Sequence, residues 1–102
     1  MKAGAGSRRR DAELSAQRAH EAHERARQAH HSAAERHERS GDAHEKAAAT
    51  HERAAADNIG DPEKHRAAAA EHRIARDADY RGAQADFSAA EDERFEREAL
   101  GT

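Results

Sequence analysis

The stretch AHEKAAATHERAAADNIGDPEKHRAAAAEHRIARD, residues 43–77, contains the features that decide the fold. Its middle, DNIGDP at residues 57–62, separates two Ala-rich segments. Gly60 suits the position just after a helix end, Asp61 suits an N-cap, and Pro62 suits the first position of a new helix. The stretch therefore predicts two helices that are joined by a turn at residues 57–62.

Outward from this turn, Ala, Glu, Arg, Lys and Gln dominate, and these residues are strong helix formers. The first helix is predicted over about residues 8–57 and the second over about residues 62–99. Residues 1–7, MKAGAGS, are predicted to be a flexible basic tail. The remainder, residues 8–102, is predicted to be a single helical-hairpin domain.

A seven-residue repeat runs through both predicted helices, for example AHERARQ at residues 22–28, THERAAA at 50–56 and EHRIARD at 71–77. Its phase continues through Gly41, so we expect the first helix to be uninterrupted there. One heptad position, here called a, carries His23, His30, His37, His44, His51, His65 and His72. Position d carries Ala12, Ala19, Ala26, Ala33, Ser40, Ala47, Ala54, Ala68, Ala75, Gly82 and Ala89. Small d residues allow the helix backbones to approach closely, but they bury little apolar area.

The second helix carries a further stripe of larger apolar residues at positions b and c. It consists of Ile74, Tyr80, Phe87 and Phe95. Either this stripe is the true core of the second helix, or it is a second buried face that joins two hairpins into a four-helix bundle. We favour the second interpretation. The predicted fold class is all-α, an antiparallel helical hairpin that forms a homo-oligomer, a dimer or higher.

Composition excludes several classes of function. The chain has no Cys, so it has no disulfide framework and no thiolate metal site. The N-terminus lacks the apolar segment of a signal peptide, and no apolar run reaches membrane-spanning length. A cytoplasmic protein without a membrane partner is therefore expected. Three consecutive arginines at residues 8–10, in a chain of net charge −3, form too small a basic surface to indicate nucleic-acid binding. No nucleic-acid partner is therefore expected.

Nine His in 102 residues are the most informative feature for function. His is the commonest metal ligand of proteins, and imidazole suits Zn, Cu, Ni and Co. His20 and His23 are three residues apart and therefore share a helix face, and Glu24 follows His20 by four residues. These three side chains form one predicted metal site.

The hairpin supplies the other predicted metal ligands. A turn centred on Asn58 places each position a opposite position a of the other helix. The resulting rungs are His51–His65, His44–His72, His37–Asp79, His30–Asp86 and His23–Glu93. Each rung is either a two-ligand fragment of a metal site or a His–acid ion pair. Dimerisation would bring a second pair of ligands to some rungs.

The AHERA-type heptads over roughly residues 15–77 resemble short Ala/Glu/Arg/His-rich helical proteins of high-GC actinobacteria. This resemblance implies a helical hairpin and no particular activity. The chain is also loosely similar to late-embryogenesis-abundant stress proteins, which fold conditionally. It departs from them in its seven-residue spacing and its many His.

The sequence contains no E-x-x-H, H-E-x-x-H or G-x-S-x-G motif and no phosphate loop, so neither an enzyme nor an organic cofactor is predicted. The leading prediction is a non-catalytic protein that binds or buffers divalent transition metal ions. One alternative is a self-associating coiled-coil scaffold or adaptor in which His sets the register and the response to pH. Another is a conditionally folded stress protein. The His can also have spread by duplication of the repeat without any role.

Overall fold

The structure is a computed structural model that describes residues 2–100, with side chains described for residues 6–100. It contains two helices, α1 (Lys2–Ala56) and α2 (Pro62–Leu100), and the described residues form no strand. The helices pack as an antiparallel hairpin, so the predicted all-α hairpin is confirmed, whereas the homo-oligomer stays a prediction. The contacts divide into two compact units, where the sequence predicted one domain. Residues 32–86 form the unit that contains the turn, and the two ends of the chain form the other.

The turn lies where the sequence predicts it, but Asn58 takes the role expected of Gly60. Asn58 has a φ of 55°, and its N–H donates to the Ala55 carbonyl at 3.2 Å. The N–H of Ile59 donates to the Ala54 carbonyl at 2.9 Å. These two bonds form a Schellman motif with Asn58 at C′, a position that Asn adopts more easily than most residues. Gly60, with a φ of 67°, then turns the chain towards α2.

The start of α2 follows the prediction closely. The Asp61 carboxylate accepts hydrogen bonds from the N–H groups of Glu63 at 3.0 Å and Lys64 at 3.4 Å. Pro62 is the first helical residue, where its missing N–H leaves no intrahelical bond unmade. Asp61 is therefore the N-cap of α2, as predicted.

Helix α1 begins earlier than predicted, at Lys2 instead of near Arg8. The predicted tail over residues 1–7 is thus helical from residue 2, and Met1 lies outside the described residues. Ser7 does not cap the helix, because it lies inside α1, and its hydroxyl instead accepts a hydrogen bond from Arg10 at 3.5 Å. Gly makes a helix less stable than Ala does by only about 1 kcal/mol per residue. The glycines of this segment therefore do not end the helix. At Gly41 the helix continues, as predicted.

The core is centred on heptad position e, one place after position d. The buried apolar residues are Ala34, Ala48, Ala55, Ala69, Ala83 and Ala90, each at most 6% exposed. The d residues are half-buried or exposed, and the His at a are half-buried. At 3.6 residues per turn, e lies about 40° from a and d about 60°, so e is nearer the middle of a face centred on a. The small residues expected to allow the close approach of the helices were those at d, whereas the small residues that are buried are those at e.

The predicted apolar stripe of α2 does not behave as one surface. Tyr80 packs against Gly41 and donates a hydrogen bond to Asp42 at 2.5 Å, and the Phe87 ring meets His31 edge-on at 5.3 Å. Ile74 and Phe95, by contrast, are 70% and 63% exposed. Over the described part of the chain, neither helix has an apolar stretch long enough to cross a membrane.

Candidate metal centre

The two rungs nearest the turn pair His with His, as the predicted register requires. The Nδ1 atoms of His51 and His65 are 2.9 Å apart, and those of His44 and His72 are 3.0 Å apart. When both rings of a rung are neutral, a hydrogen bond at this separation requires one Nδ1 to donate and the other to accept, so the two rings then hold opposite tautomers. The predicted pairing of these two rungs is confirmed.

The two His–His rungs also contact each other. The rings of His51 and His72 stack with centroids 5.6 Å apart and planes 17° apart. Within each rung the ring centroids are 5.2 Å apart. His44, His51, His65 and His72 therefore form one contiguous group, here called the four-histidine cluster, and all four side chains are half-buried. The heptad register predicts the two rungs separately and does not predict the stacking of His51 on His72.

Cross-helix ion pairs hold the register beside this cluster. Arg76 donates to Glu45 at 2.5 Å, and Arg73 donates to Glu45 at 3.4 Å and also to Glu52. The hydrogen bonds from Arg76 and then Arg73 hold the pKa of Glu45 below its ordinary value. Because the two Arg belong to α2 and the two Glu to α1, these pairs favour the alignment that brings the His rings together.

The next rung pairs His37 with Asp79, also as predicted. His37 Nδ1 lies 3.0 Å from Asp79 Oδ1. The other carboxylate oxygen, Oδ2, lies 3.7 Å from Nε2 of His44, so Asp79 connects this rung to the four-histidine cluster. Hydrogen bonds from His37 and Ser40 lower the pKa of Asp79, and this carboxylate is therefore ionised over a wider range of pH.

Asp86 and His30, which were predicted to form the fourth rung, are both half-buried. Asp86 Oδ2 lies 3.8 Å from Nε2 of His37. His37 thus has a carboxylate near each ring nitrogen. The pairing of His30 with Asp86 stays a prediction.

The remaining rung, His23–Glu93, is part of a group of three. His23 Nδ1 lies 2.5 Å from Glu93 Oε2 and 3.4 Å from Glu96 Oε2. Over residues 2–100, this is the one group of three or more His, Asp or Glu whose candidate ligand atoms all lie within 4.8 Å of one another. The group is therefore the candidate metal centre with the most closely converging ligand atoms among the described residues.

Glu96 was not among the predicted ligands. The predicted ligands of α2 all lie at position a, one in each heptad, whereas Glu96 is at d. The signal that would have found it is the spacing Glu93-x-x-Glu96, because side chains three residues apart lie on the same helix face.

The predicted set of His20, His23 and Glu24 does not form such a converging group. Glu24 instead accepts hydrogen bonds from Arg27 at 2.7 and 3.0 Å and from Arg97 of α2 at 3.1 Å. The Arg27 hydrogen bonds are the main reason that the pKa of Glu24 falls to about 2. Glu24 is thus an anchor for ion pairs, and His20 lines the adjacent surface groove beside it.

No protein-family model, no curated protein and no solved structure matches this chain.

Proposed function

We propose that this is a non-catalytic protein that binds or buffers divalent transition metal ions. The observation that carries the proposal is the convergence of His23, Glu93 and Glu96 from two helices. One imidazole nitrogen and two carboxylate oxygens form a donor set that Zn²⁺ accepts, and three protein ligands leave a position open for water. The exposed fractions of the three side chains, 28%, 25% and 62%, give an ion a path from solvent.

The proposal is tested by calorimetric titration of the chain with Zn²⁺. The double variant Glu93→Gln/Glu96→Gln removes both carboxylates while keeping the side-chain size. We expect it to lose one equivalent of bound Zn²⁺, or to bind that equivalent at least about tenfold more weakly, because loss even of groups that only support a ligand weakens metal sites by this factor or more.

The matched control is Glu91→Gln/Glu98→Gln, which removes the same charge from the same helix. Glu91 and Glu98 pair with Arg94 and do not belong to the group of three. The control should bind Zn²⁺ like the wild type. Equal loss in both variants would mean that Zn²⁺ responds only to net charge, and unchanged binding in both would mean that His23, Glu93 and Glu96 form only an ion-pair group.

A second candidate function, a self-associating scaffold, is favoured by the exposed apolar residues of α2. Ile74 and Phe95 expose 70% and 63% of their surface. We expect the wild type to be a homodimer or larger, and Ile74→Glu/Phe95→Glu to shift it to monomer in sedimentation experiments. Ala85→Glu, at an exposed small residue, is the control. A monomeric wild type would refute the scaffold.

A further inference from the structure

We propose that the four-histidine cluster is a second metal centre, separate in chemistry from His23, Glu93 and Glu96. It takes two ions of Cu²⁺, Ni²⁺ or Zn²⁺, one at each His–His rung, and it excludes Mn²⁺ and Mg²⁺. This inference rests on the proposed function, that the folded chain binds transition metal, and it names the ions and the number of sites.

The separation of the Nδ1 atoms in each rung already matches that of two ligands on one ion. With metal–nitrogen bonds of about 2.0 Å, neighbouring ligands are about 2.8 Å apart on a square-planar ion and about 3.3 Å apart on a tetrahedral one. The observed distances are 2.9 Å in His51–His65 and 3.0 Å in His44–His72. In each rung the ring centroids are 5.2 Å apart, so the two Nδ1 atoms point at each other. An ion therefore requires both rings to turn until their Nδ1 lone pairs converge on the metal.

The two rings of a rung can also rearrange their protons for metal binding without a proton donor or acceptor from elsewhere. Before binding, one Nδ1 carries a proton that it donates to the other ring. To bind an ion through both Nδ1 lone pairs, the donor ring loses this proton from Nδ1 and gains one at its own Nε2. Both rings are then neutral Nε2–H tautomers, and a neutral rung releases no net proton.

Asp79 supports the tautomer that binding requires. Its Oδ2 lies 3.7 Å from Nε2 of His44 and so attracts a proton at that nitrogen. A metal-bound His commonly donates its second N–H to a carboxylate, which fixes the tautomer and raises the basicity of the ligand. Asp79 is suited to this supporting role and does not need to touch the ion.

The donor atoms determine which ions fit. Each rung offers imidazole nitrogen and no oxygen, which favours Cu²⁺, Ni²⁺ and Zn²⁺ over the oxygen-preferring Mn²⁺ and Mg²⁺. The rungs are one heptad apart, about 10.5 Å along a helix axis, so that each can hold its own ion. The side chain of His44 is 33% exposed, which allows water to complete the coordination.

Two double variants with the same loss of His test the inference. His44→Gln/His65→Gln removes one ring from each rung, whereas His44→Gln/His72→Gln removes both rings of one rung and leaves His51–His65 intact. Calorimetric titration with Cu²⁺ should show a loss of two equivalents in the first variant and of one in the second. If binding depended only on the number of His, the two variants would lose the same amount, and the inference would be wrong.

Electron paramagnetic resonance of the copper-loaded wild type provides a second measurement that needs no variant. At full loading, each cluster copper should show coupling to two imidazole nitrogens, and coupling to one nitrogen or none would overturn the assignment. Circular dichroism without metal confirms that both double variants are helical. Mn²⁺ binding should be the same in wild type and His44→Gln/His65→Gln, and a weaker Mn²⁺ interaction in this variant would contradict the selectivity.

The variant Glu93→Gln/Glu96→Gln separates this inference from the proposed function. It should keep both cluster copper ions. If the cluster variants lose no copper while Glu93→Gln/Glu96→Gln still loses one Zn²⁺, only the second centre is refuted. If Glu93→Gln/Glu96→Gln retains all its Zn²⁺ and the cluster variants lose copper as expected, only the centre at His23 is refuted.

Discussion

At the residue scale, a single aromatic side chain reports on the helix interface. Tyr80 is the one Tyr of the chain, and there is no Trp. Its ring lies against Gly41, where an added Cβ would be 2.5 Å from Cε1 of the ring. Gly41 therefore provides the space in which Tyr80 reaches Asp42.

Titration of Tyr80 by ultraviolet absorbance should show a pKa above the ordinary value of about 10. The hydrogen bond to Asp42 is the main cause, because the phenol loses this bond and faces the Asp42 charge when it ionises. We expect Asp42→Ala to return the pKa towards its ordinary value. Gly41→Ala should do the same by displacing the ring. Asp57→Ala, in the turn, is the control, and an equal change in it would show that only net charge matters.

Glu24 should make the stability of the chain depend on pH in the acidic range. Its pKa is about 2 in the folded chain, against an ordinary value of 4.5, so the folded state favours the ionised form. This stabilisation is complete above the ordinary pKa and is lost as the pH falls through 4.5 towards 2. The melting temperature of the wild type should therefore exceed that of Glu24→Gln at neutral pH, and the difference should shrink below pH 4.5 and vanish only below about pH 2.

The control for this experiment is Glu21→Gln, at an exposed residue one turn away in the same helix. The melting temperature of Glu21→Gln should differ little from that of the wild type across the same pH range. A gap between wild type and Glu24→Gln that persists at the lowest pH would mean that Gln disturbs packing and that the ion pairs with Arg27 and Arg97 contribute little.

At the scale of the elements, the turn sets which rungs form. The connection between Ala56 and Pro62 is short, and it uses positive φ at Asn58 and Gly60. A side chain at Gly60 would be strained by the φ of 67° and would also place its Cβ 3.2 Å from Nε2 of His65. The turn therefore constrains both the backbone and the first His–His rung.

Gly60→Ala should lower the free energy of unfolding by roughly 1–2 kcal/mol, since left-handed backbone is unfavourable for Ala by this amount. Gly6→Ala adds the same methyl group in a helix, with nothing within 4 Å, and should raise the free energy of unfolding by up to about 1 kcal/mol. Chemical denaturation of both variants measures whether the free energy of unfolding falls in Gly60→Ala and rises in Gly6→Ala. A stable Gly60→Ala would mean that the turn tolerates another conformation.

The elements and their register were predictable because they depend on local chemistry and on a repeat. The N-cap at Asp61 and the heptad of His are readable one residue at a time, and together they predict the pairing of His51 with His65. The burial of position e was not predictable, because it depends on the rotation of each helix about its own axis. Glu96 was missed for a related reason, since it joins its group through side-chain reach and not through heptad position.

At the scale of the whole molecule, the buried apolar residues of the described chain are all Ala. Because burial of Ala removes little apolar area from water, helix propensity and ion pairs carry an unusual share of the stability. A ligand that binds only the folded chain should therefore have a large effect on the melting temperature.

Occupation of a single site by Zn²⁺ should raise the melting temperature by roughly 10–20 °C, and occupation of further sites should raise it more. Each site occupied at a hundred times its dissociation constant adds about 2.7 kcal/mol to the stability of the folded state, and about 1 kcal/mol corresponds to 4–8 °C for a domain of this size. Differential scanning calorimetry with Zn²⁺, and then with excess chelator, measures the effect. An unchanged melt in Zn²⁺ would contradict both proposed metal centres.

The uninterrupted heptad has a consequence for insertions and deletions near the turn. Removing residues 44–50 together with 65–71 deletes one repeat from each helix and turns the remaining side chains by only about 20°. Removing a single residue instead turns the rest of the helix by about 100°, which would bring charged side chains into the interface. The length of this hairpin can therefore change in paired seven-residue steps, each of which adds or removes one rung. Few intermediate lengths are tolerated.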